Sequence, residues 1–296
     1  MMLTKKINKI FYKSLKESSP EKLIRKKLKF KKKFVIYKNK KIFNFNNKIY
    51  IISLGKASQS LMRGILKSTN QIEDYFVVRH FKSKNSTKLK NTFLSTHPLV
   101  SIKSYNAAKK LLEFIKSIPK GSDIIFLISG GGSAMLAHPI KNLKFNEKSN
   151  FINNLMHLGI GEREVNYFRK KLSSIKSSKT LSYFNSSNIL NIILSDERSN
   201  RIDAISSGLS VPQKQIKIEN HLLNKVINQK FCTKKITNIL KKNNKNIPAK
   251  KYNNKITSLI IGDRYDLIDE IKKNLKKDKT INTISYGGHI FKKTYN

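Results

Sequence analysis

The sequence has a single cysteine, Cys232, among 296 residues. One cysteine cannot form an intramolecular disulfide, and it excludes a zinc site built from cysteines alone. A chain without disulfides suits a reducing compartment, so we expect a cytoplasmic location.

The longest apolar runs are far shorter than 18 residues, which argues against a membrane-spanning helix. The basic N-terminal segment also lacks the apolar core and cleavage site of a secretory signal. A mitochondrial presequence is the alternative, against which Glu17 and Glu21 argue weakly.

Acidic residues are scarce. The chain has 18 Asp and Glu against 61 Lys and Arg, which gives a net charge of +43. Such a charge is typical of proteins that bind nucleic acids or anionic membranes. The alternative is compositional drift in an A- and T-rich genome, which enriches Lys, Asn and Ile together. The lysines occur in every segment, with one dense run at 26–41, and no RNA-recognition or zinc-finger motif accompanies them. We therefore expect a small-molecule substrate, with neither a specific nucleic acid nor a membrane as partner.

Glycine is also sparse, yet three of the 12 glycines are consecutive in "SGGGSA". This segment follows an apolar run and precedes small residues with helical spacing. Free backbone N–H groups and a helix N-terminus form anion sites, to which serine hydroxyls can add donors. The predicted cradle for a phosphate or carboxylate is Ser129, Gly130, Gly131, Gly132 and Ser133. The alternative is a tight turn that packs a helix on the sheet. No Gly-Lys-Ser/Thr follows, so the segment is not a Walker A loop.

Short apolar runs alternate with helical patterns along the chain. The pattern predicts strands at 48–55, 74–80, 91–98, 123–129, 187–196, 255–263 and 280–288. Helical patterns fill most of the intervals, and the polar segment 241–255 is predicted to be an exposed loop. Alternation of this kind favours an α/β fold: a mostly parallel sheet with helices on both faces, a Rossmann-like three-layer arrangement. We treat residues 1–296 as one domain.

Four predicted strands end in polar residues, and ligands of parallel sheets bind beyond the carboxyl ends of the strands. Lys56 follows the first strand, where a lysine could stabilise a transferring phosphoryl group. Asp196 follows another strand, where it could hold a metal ion or orient an attacking hydroxyl. The alternatives are a solvated lysine and an aspartate that caps a turn. His97 and His138 each precede a proline, and we interpret both as structural first and ligand-contacting second.

Asn166 and Arg169 lie three residues apart in the helical pattern 161–175, so they share one face. On that face they could orient the hydroxyl and carboxylate of a small acid. The alternative is a solvated cationic face, to which Lys170 would also belong.

The order of these motifs resembles the glycerate 2-kinase (type-2 glycerate kinase) family, in its N-terminal, MOFRL-associated domain. The resemblance is carried by "IISLGKAS", "STHPLVS", "DIIFLISGGGSAMLAHPI", "EVNYFRKKLSSIK" and "NIILSDERSN…AISSGLSVP". It extends from about Leu3 to about Ile284, in the right order throughout. The family phosphorylates D-glycerate to 2-phosphoglycerate with ATP and Mg²⁺. It has also been labelled hydroxypyruvate reductase, but no clean dinucleotide fingerprint is present here.

The resemblance implies a role for each motif. Lys56 would be the electrostatic stabiliser, and the loop from Ser129 to Ser133 would cradle phosphate or substrate. Asn166 and Arg169 would bind substrate, and Asp196 would lie near the metal or the reacting hydroxyl.

The sequence also departs from the family pattern. Ser177 and Ser178 replace two glycines, and Ser199-Asn200 replace a Gly-Asp pair. The family's C-terminal MOFRL domain has no counterpart in the sequence. We therefore expect either a kinase completed by a separate C-terminal polypeptide or an oligomer partner, or a truncated, degenerate member. The degenerate member would bind a small anion or nucleotide without turnover.

Overall fold

The computed structural model describes residues 2–83, 89–184, 188–212, 218–242 and 254–276. The strands are β1 (Leu28–Phe30), β2 (Phe34–Tyr37), β3 (Lys40–Asn44), β4 (Ile49–Leu54), β5 (Ile72–His80), β6 (Thr92–Ser95), β7 (Asp123–Ile128), β8 (Asn188–Leu194) and β9 (Lys255–Gly262). The helices are α1 (Met2–Glu17), α2 (Pro20–Lys27), α3 (Ser58–Leu66), α4 (Ile102–Ser117), α5 (Gly132–Met135), α6 (Phe145–Leu155), α7 (Glu162–Lys171), α8 (Asn220–Ile227), α9 (Lys234–Lys242) and α10 (Arg264–Lys276).

Six strands form a central parallel sheet in the order β6-β5-β4-β7-β8-β9. This is the strand order of a Rossmann sheet, and it confirms the predicted α/β class. Chain order reverses between β4 and β7, which lie side by side at the centre. A crevice forms at such a reversal because the connections that leave the two strands pass to opposite faces of the sheet.

The central strands are buried on both faces. Every residue of β4 and β7 is buried, which accounts for their nearly continuous apolar runs. Alternate residues enter two different hydrophobic clusters: Ile52 packs on the side of Leu111 from α4, and Ile51 on the side of Leu61 from α3. Two covered faces make the three layers that the sequence predicts.

A third hydrophobic cluster lies outside the sheet. It joins helices α6 to α9 through Phe151, Phe168, Val226 and Leu240, each of which is fully buried. This helical layer places α7 next to the carboxyl ends of the strands. The helix after the glycine loop, α5, is a single turn, shorter than the sequence pattern suggested.

The lysine-rich run at 26–41 contains an antiparallel sheet that the sequence analysis missed. Strands β1, β2 and β3 pair in sequence order. Val35 and Phe43 are buried on one face, while most of the lysines are exposed on the other. Lys38 and Asn39 take φ values of 48° and 60° at the hairpin, as a type I′ turn requires. The high charge concealed a short alternating apolar pattern.

Most other boundaries agree with the sequence within a few residues. Helix α2 begins at Pro20 after Ser19 as expected, although the Ser19 side chain makes no capping hydrogen bond. The strand predicted at 280–288 and most of the loop predicted at 241–255 lie outside the described residues. None of the described helices combines the length and apolarity needed to cross a bilayer.

Candidate functional site

A cleft of about 510 Å³ opens at the carboxyl ends of β4, β7 and β8, where the strand order reverses. One wall, which we call the sheet wall, consists of the loops after these strands. The other, the helical wall, is the cleft face of α7. The lining includes Lys56, His97, Gly130, Gly131, Ser133, Asn166, Arg169, Lys170, Asp196, Arg201 and Ser206. The fold therefore brings seven of the nine predicted site residues to one cavity.

On the sheet wall, two glycines permit charged side chains to lie on the β7 loop. A β-carbon on Gly130 would overlap the carboxylate of Asp196. Gly131 has a φ of +87°, and a β-carbon there would press on Lys56 and His97 at 3.1 Å. Lys56 and Asp196 are both exposed, so their charged groups reach the cleft from adjacent points on the loop. The glycines make this close approach possible, in addition to any role in exposing backbone N–H groups.

Ser129 and Gly132 lie behind the lining, contrary to the expectation that they face a ligand. The Ser129 hydroxyl accepts a hydrogen bond from the Ala57 backbone N–H at 3.0 Å, and Ser129 is 2% exposed. Gly132 leaves room for the side chain of Ser206. Ser129 therefore bonds to the loop after β4, and Gly132 allows the segment that contains Ser206 to pack closely.

On the helical wall, Asn166 and Arg169 share a face as the spacing predicted. The Arg169 guanidinium donates to Asn166 Oδ1 at 3.3 Å, and the Ser207 hydroxyl donates to the same oxygen at 3.1 Å. Ser207 also bonds to the Ser133 hydroxyl at 2.7 Å. The helical wall and the β7 loop are therefore linked through Ser207.

Arg169 is only 8% exposed although it lines the cleft. Apart from Asn166, its guanidinium contacts the Met156 sulfur at 3.1 Å, and its Nε has no hydrogen-bond partner in the described chain. Burial lowers the pKa of Arg169, with only weak opposition from the charge of Glu162. A buried guanidinium with so few acceptors is well suited to bind an anion that enters the cleft.

The pKa of His97 is affected by charged groups of both walls. Burial lowers the pKa of its imidazole, and the positive charges of Lys56, His80 and Arg169 lower it further. The Asp196 carboxylate acts in the opposite direction. His97 lines the cleft, where it could contact a ligand, which is the second of the two interpretations that the sequence left open. His138, by contrast, does not line the cleft, and its Nδ1 bonds to the Ser174 hydroxyl at 2.7 Å.

The segment 205–208 is a part of the site that residue chemistry alone did not single out. Ser206, Ser207 and Gly208 all take positive φ values, and the Ser206 hydroxyl donates to the Ser129 carbonyl at 3.0 Å. A run of small polar residues after a strand was the available signal. It identifies a tight turn but not the helix on which the turn packs.

The metal donors of the cleft are few. No group of three His, Cys, Asp or Glu side chains that could hold a metal occurs in the part of the chain that the structure describes. Mg²⁺ at nucleotide sites uses one or two carboxylates together with phosphate oxygens. The exposed carboxylate of Asp196 fits that arrangement, because it would need phosphate oxygens to complete the coordination.

Comparisons with known proteins identify the family and the fold of this chain. The profile of the family described as "Domain of unknown function (DUF4147)" matches residues 6–241. The glycerate 2-kinase of Pyrococcus horikoshii is 27% identical over 198 residues, which cover 67% of this chain and 44% of that protein. The glycerate 2-kinase of Sulfurisphaera tokodaii is 30% identical over 183 residues, 60% of this chain and 44% of that one.

The crystal structure of a glycerate kinase from Thermotoga maritima superposes with a TM-score of 0.72 at 20% identity. The superposition covers 94% of this chain and 64% of that chain, and it shows a shared fold. The chain spans less than half the length of the two curated relatives that it matches.

Proposed function

This chain belongs to the DUF4147 family, the N-terminal region of glycerate kinases, and we propose that it acts as a glycerate 2-kinase. The reaction would transfer the γ-phosphoryl group of ATP to the 2-hydroxyl of D-glycerate. The single cysteine suits a reducing cytoplasm, where we expect the activity to operate. A phosphotransferase needs an anchor for its acid substrate and charges that stabilise the transferring group, and the two walls offer one each.

The observation that carries the proposal is Arg169. Its guanidinium lines the cleft, is almost fully buried, and has no carboxylate within ion-pair distance in the described chain. A planar guanidinium can bind a carboxylate through two parallel hydrogen bonds. We therefore assign the carboxylate of glycerate to Arg169. Asn166, held by Arg169 and Ser207, would orient a substrate hydroxyl.

The sheet wall would supply the phosphoryl-transfer chemistry. Lys56 would neutralise the charge that develops on the transferring group, because its side chain lies beside the β7 loop at the carboxyl ends of the strands. Asp196 would hold the Mg²⁺ that accompanies ATP or orient the attacking hydroxyl. Mg²⁺, when bound with the nucleotide, would offset charge on its phosphates. Backbone N–H groups of Gly130 and Gly131 remain candidates for phosphate contacts.

One observation favours a second candidate, a member that binds without turnover. Ser177 and Ser178, where the family has glycines, take φ values of 59° and 58° in buried positions. Left-handed backbone costs a serine about 1 kcal/mol relative to glycine. These serines therefore keep a glycine-type turn at some cost in stability, next to the segment that contacts Asn166. A separate C-terminal domain or an oligomer partner could still complete the enzyme.

The decisive experiment measures ADP release with Mg-ATP, with and without D-glycerate. It compares the wild type with Lys56→Ala and with Lys120→Ala, which removes the same charge from an exposed position outside the cleft. We expect glycerate-dependent ADP that is lost in Lys56→Ala and retained in Lys120→Ala. If no ADP forms, the assay is repeated with a family C-terminal domain added in trans. Glycerate binding without ADP in both assays would establish the non-catalytic alternative, and absence of binding would refute both.

A further inference from the structure

Several cations lie in the interior directly behind the helical wall. Lys148 of α6 is 2% exposed, and its ammonium donates to the His138 carbonyl at 2.9 Å. Lys176 follows α7 and is 1% exposed. Together with Arg169 they form what we call the buried cation cluster. Like charges in a low-dielectric interior repel strongly, so the cluster carries an electrostatic cost that a bound anion would relieve.

Lys176 is the member with no hydrogen bond to offset its burial. Its Nζ is fully enclosed and has no partner among the described residues. Burial lowers the pKa of Lys176 to about 7, and the positive charges of Arg169 and Lys170 contribute further. Near neutral pH this side chain is consequently divided between its charged and uncharged forms.

The groups that face Lys176 are nearly all positive. Arg169 and Lys170 face it from α7, and Lys148 faces it from α6. The half-buried His138 lies beside Lys148, and Lys179 acts on Lys148 from the turn that follows. Lys176 forms no ion pair in the described chain. A new negative charge at Arg169 would therefore be the main local source of stabilisation for a charged Lys176.

We propose that Lys176 takes up a proton from solvent when an anion binds to Arg169 in the cleft. The inference rests on the proposed function insofar as it places an anion at Arg169. In this step a buffer acid or hydronium ion gives up a proton, which breaks one of its bonds to hydrogen, and the Nζ lone pair of Lys176 binds that proton to form a new N–H bond. Lys176 is thus a positioning residue that tunes the anion site from behind without touching the ligand.

The sign of the effect follows from the linkage between charges. The bound anion partly cancels the field of Arg169, which raises the pKa of Lys176, so the complex holds more protons than the free protein. Affinity for the anion must then fall as pH rises above about 7, by at most tenfold per pH unit for one coupled proton. Lys170 also lines the cleft, and burial lowers its pKa to about 8, so the variant at Lys176 is needed to assign the pH dependence.

The test is titration calorimetry of the full chain at pH 8 in two buffers with different ionisation enthalpies. Sulfate and D-glycerate serve as probes because neither titrates near that pH. The buffer dependence of the heat gives the number of protons bound per anion. We expect uptake of a fraction of a proton in the wild type and none in Lys176→Met.

The matched control is Lys171→Met. Lys171 is on the same helix and is also buried, but its ammonium lies over the Tyr167 ring, and burial is the cause that lowers its pKa. This variant should retain the wild-type uptake. Thermal unfolding of each variant checks that it is folded, and the wild-type measurement stands alone if Lys176→Met does not fold.

The outcomes separate the two proposals. Anion binding without proton uptake in the wild type overturns the role of Lys176 and leaves the proposed function intact. Uptake that persists in Lys176→Met also overturns it and assigns the proton to Lys170 or His97. Sulfate binding with uptake, but no binding of glycerate, supports Lys176 and refutes the glycerate assignment. Absence of binding to either probe overturns both.

Discussion

The two walls of the cleft use charge in different ways. On the sheet wall, Lys56 and Asp196 are exposed, have opposite signs, and rest on glycines of the β7 loop. Arg169 on the helical wall and Lys176 behind it are buried, have the same sign, and form no ion pair in the described chain. Both walls lie at the same end of the sheet, yet water screens the first and is excluded from the second.

This difference indicates a division of labour. Interactions between exposed charges of opposite sign contribute little free energy, and the side chains that carry them can move. Such side chains suit contact with a transferring phosphoryl group and its metal ion. Buried like charges are costly without an anion, and a bound anion offsets part of that cost. We therefore expect changes on the sheet wall to affect turnover more than anion binding, and changes on the helical wall to do the reverse.

The largest effect should come from Gly130→Ala. The added β-carbon occupies the position of the Asp196 carboxylate, so Asp196 must move. Displacement of a reacting group by about 1 Å can reduce a rate by roughly 100-fold. In a preparation that forms ADP we expect a loss of that order, while sulfate affinity changes by less than about threefold. Gly159→Ala introduces a β-carbon that meets nothing within 4 Å at a residue with a φ of +65°, so it controls for backbone strain that does not displace Asp196.

The reverse experiment is Arg169→Met. Loss of charged hydrogen bonds to a carboxylate, about 1.5–3 kcal/mol, should weaken D-glycerate binding by roughly 10-fold to 100-fold in calorimetry. Thermal stability should change little, because the buried guanidinium has few partners to lose. Arg163→Met tests whether any cleft arginine would do, since Arg163 lines the cleft but is exposed. A comparable loss in both variants would contradict the special role of Arg169.

A smaller effect is expected behind the helical wall, from Ser177→Gly. Glycine adopts the observed φ of 59° without strain, and we expect a gain of about 0.5–1 kcal/mol in the free energy of unfolding. Ser182→Gly, at an exposed position of a 3₁₀ turn, should instead be neutral or destabilising. Chemical denaturation measures both. If Ser177→Gly lowers stability, the buried hydroxyl contributes more than the backbone strain costs.

Sequence patterns were sufficient where one element determines its own structure. The apolar runs of β4 and β7 and the amphipathic spacing of α4 located these elements because periodicity reports burial directly. The strands β1 to β3 were missed because the many exposed lysines around them masked their short apolar runs. The short helix α5 was overestimated because small residues have helical propensity but do not show where packing ends a helix.

The residues of the candidate site also fall into two groups, those that the sequence located and those that only the tertiary structure placed. Sequence order determined that Lys56, the β7 loop and Asp196 would meet, because the carboxyl ends of parallel strands share one edge of a sheet. Only the tertiary structure decided that Ser129 faces inward, that Ser207 joins the two walls, and that Lys176 is enclosed beside Arg169. The physical reason is that a strand end is specified by local periodicity. Burial and the partners of a charge depend on contacts between segments that are distant in the chain.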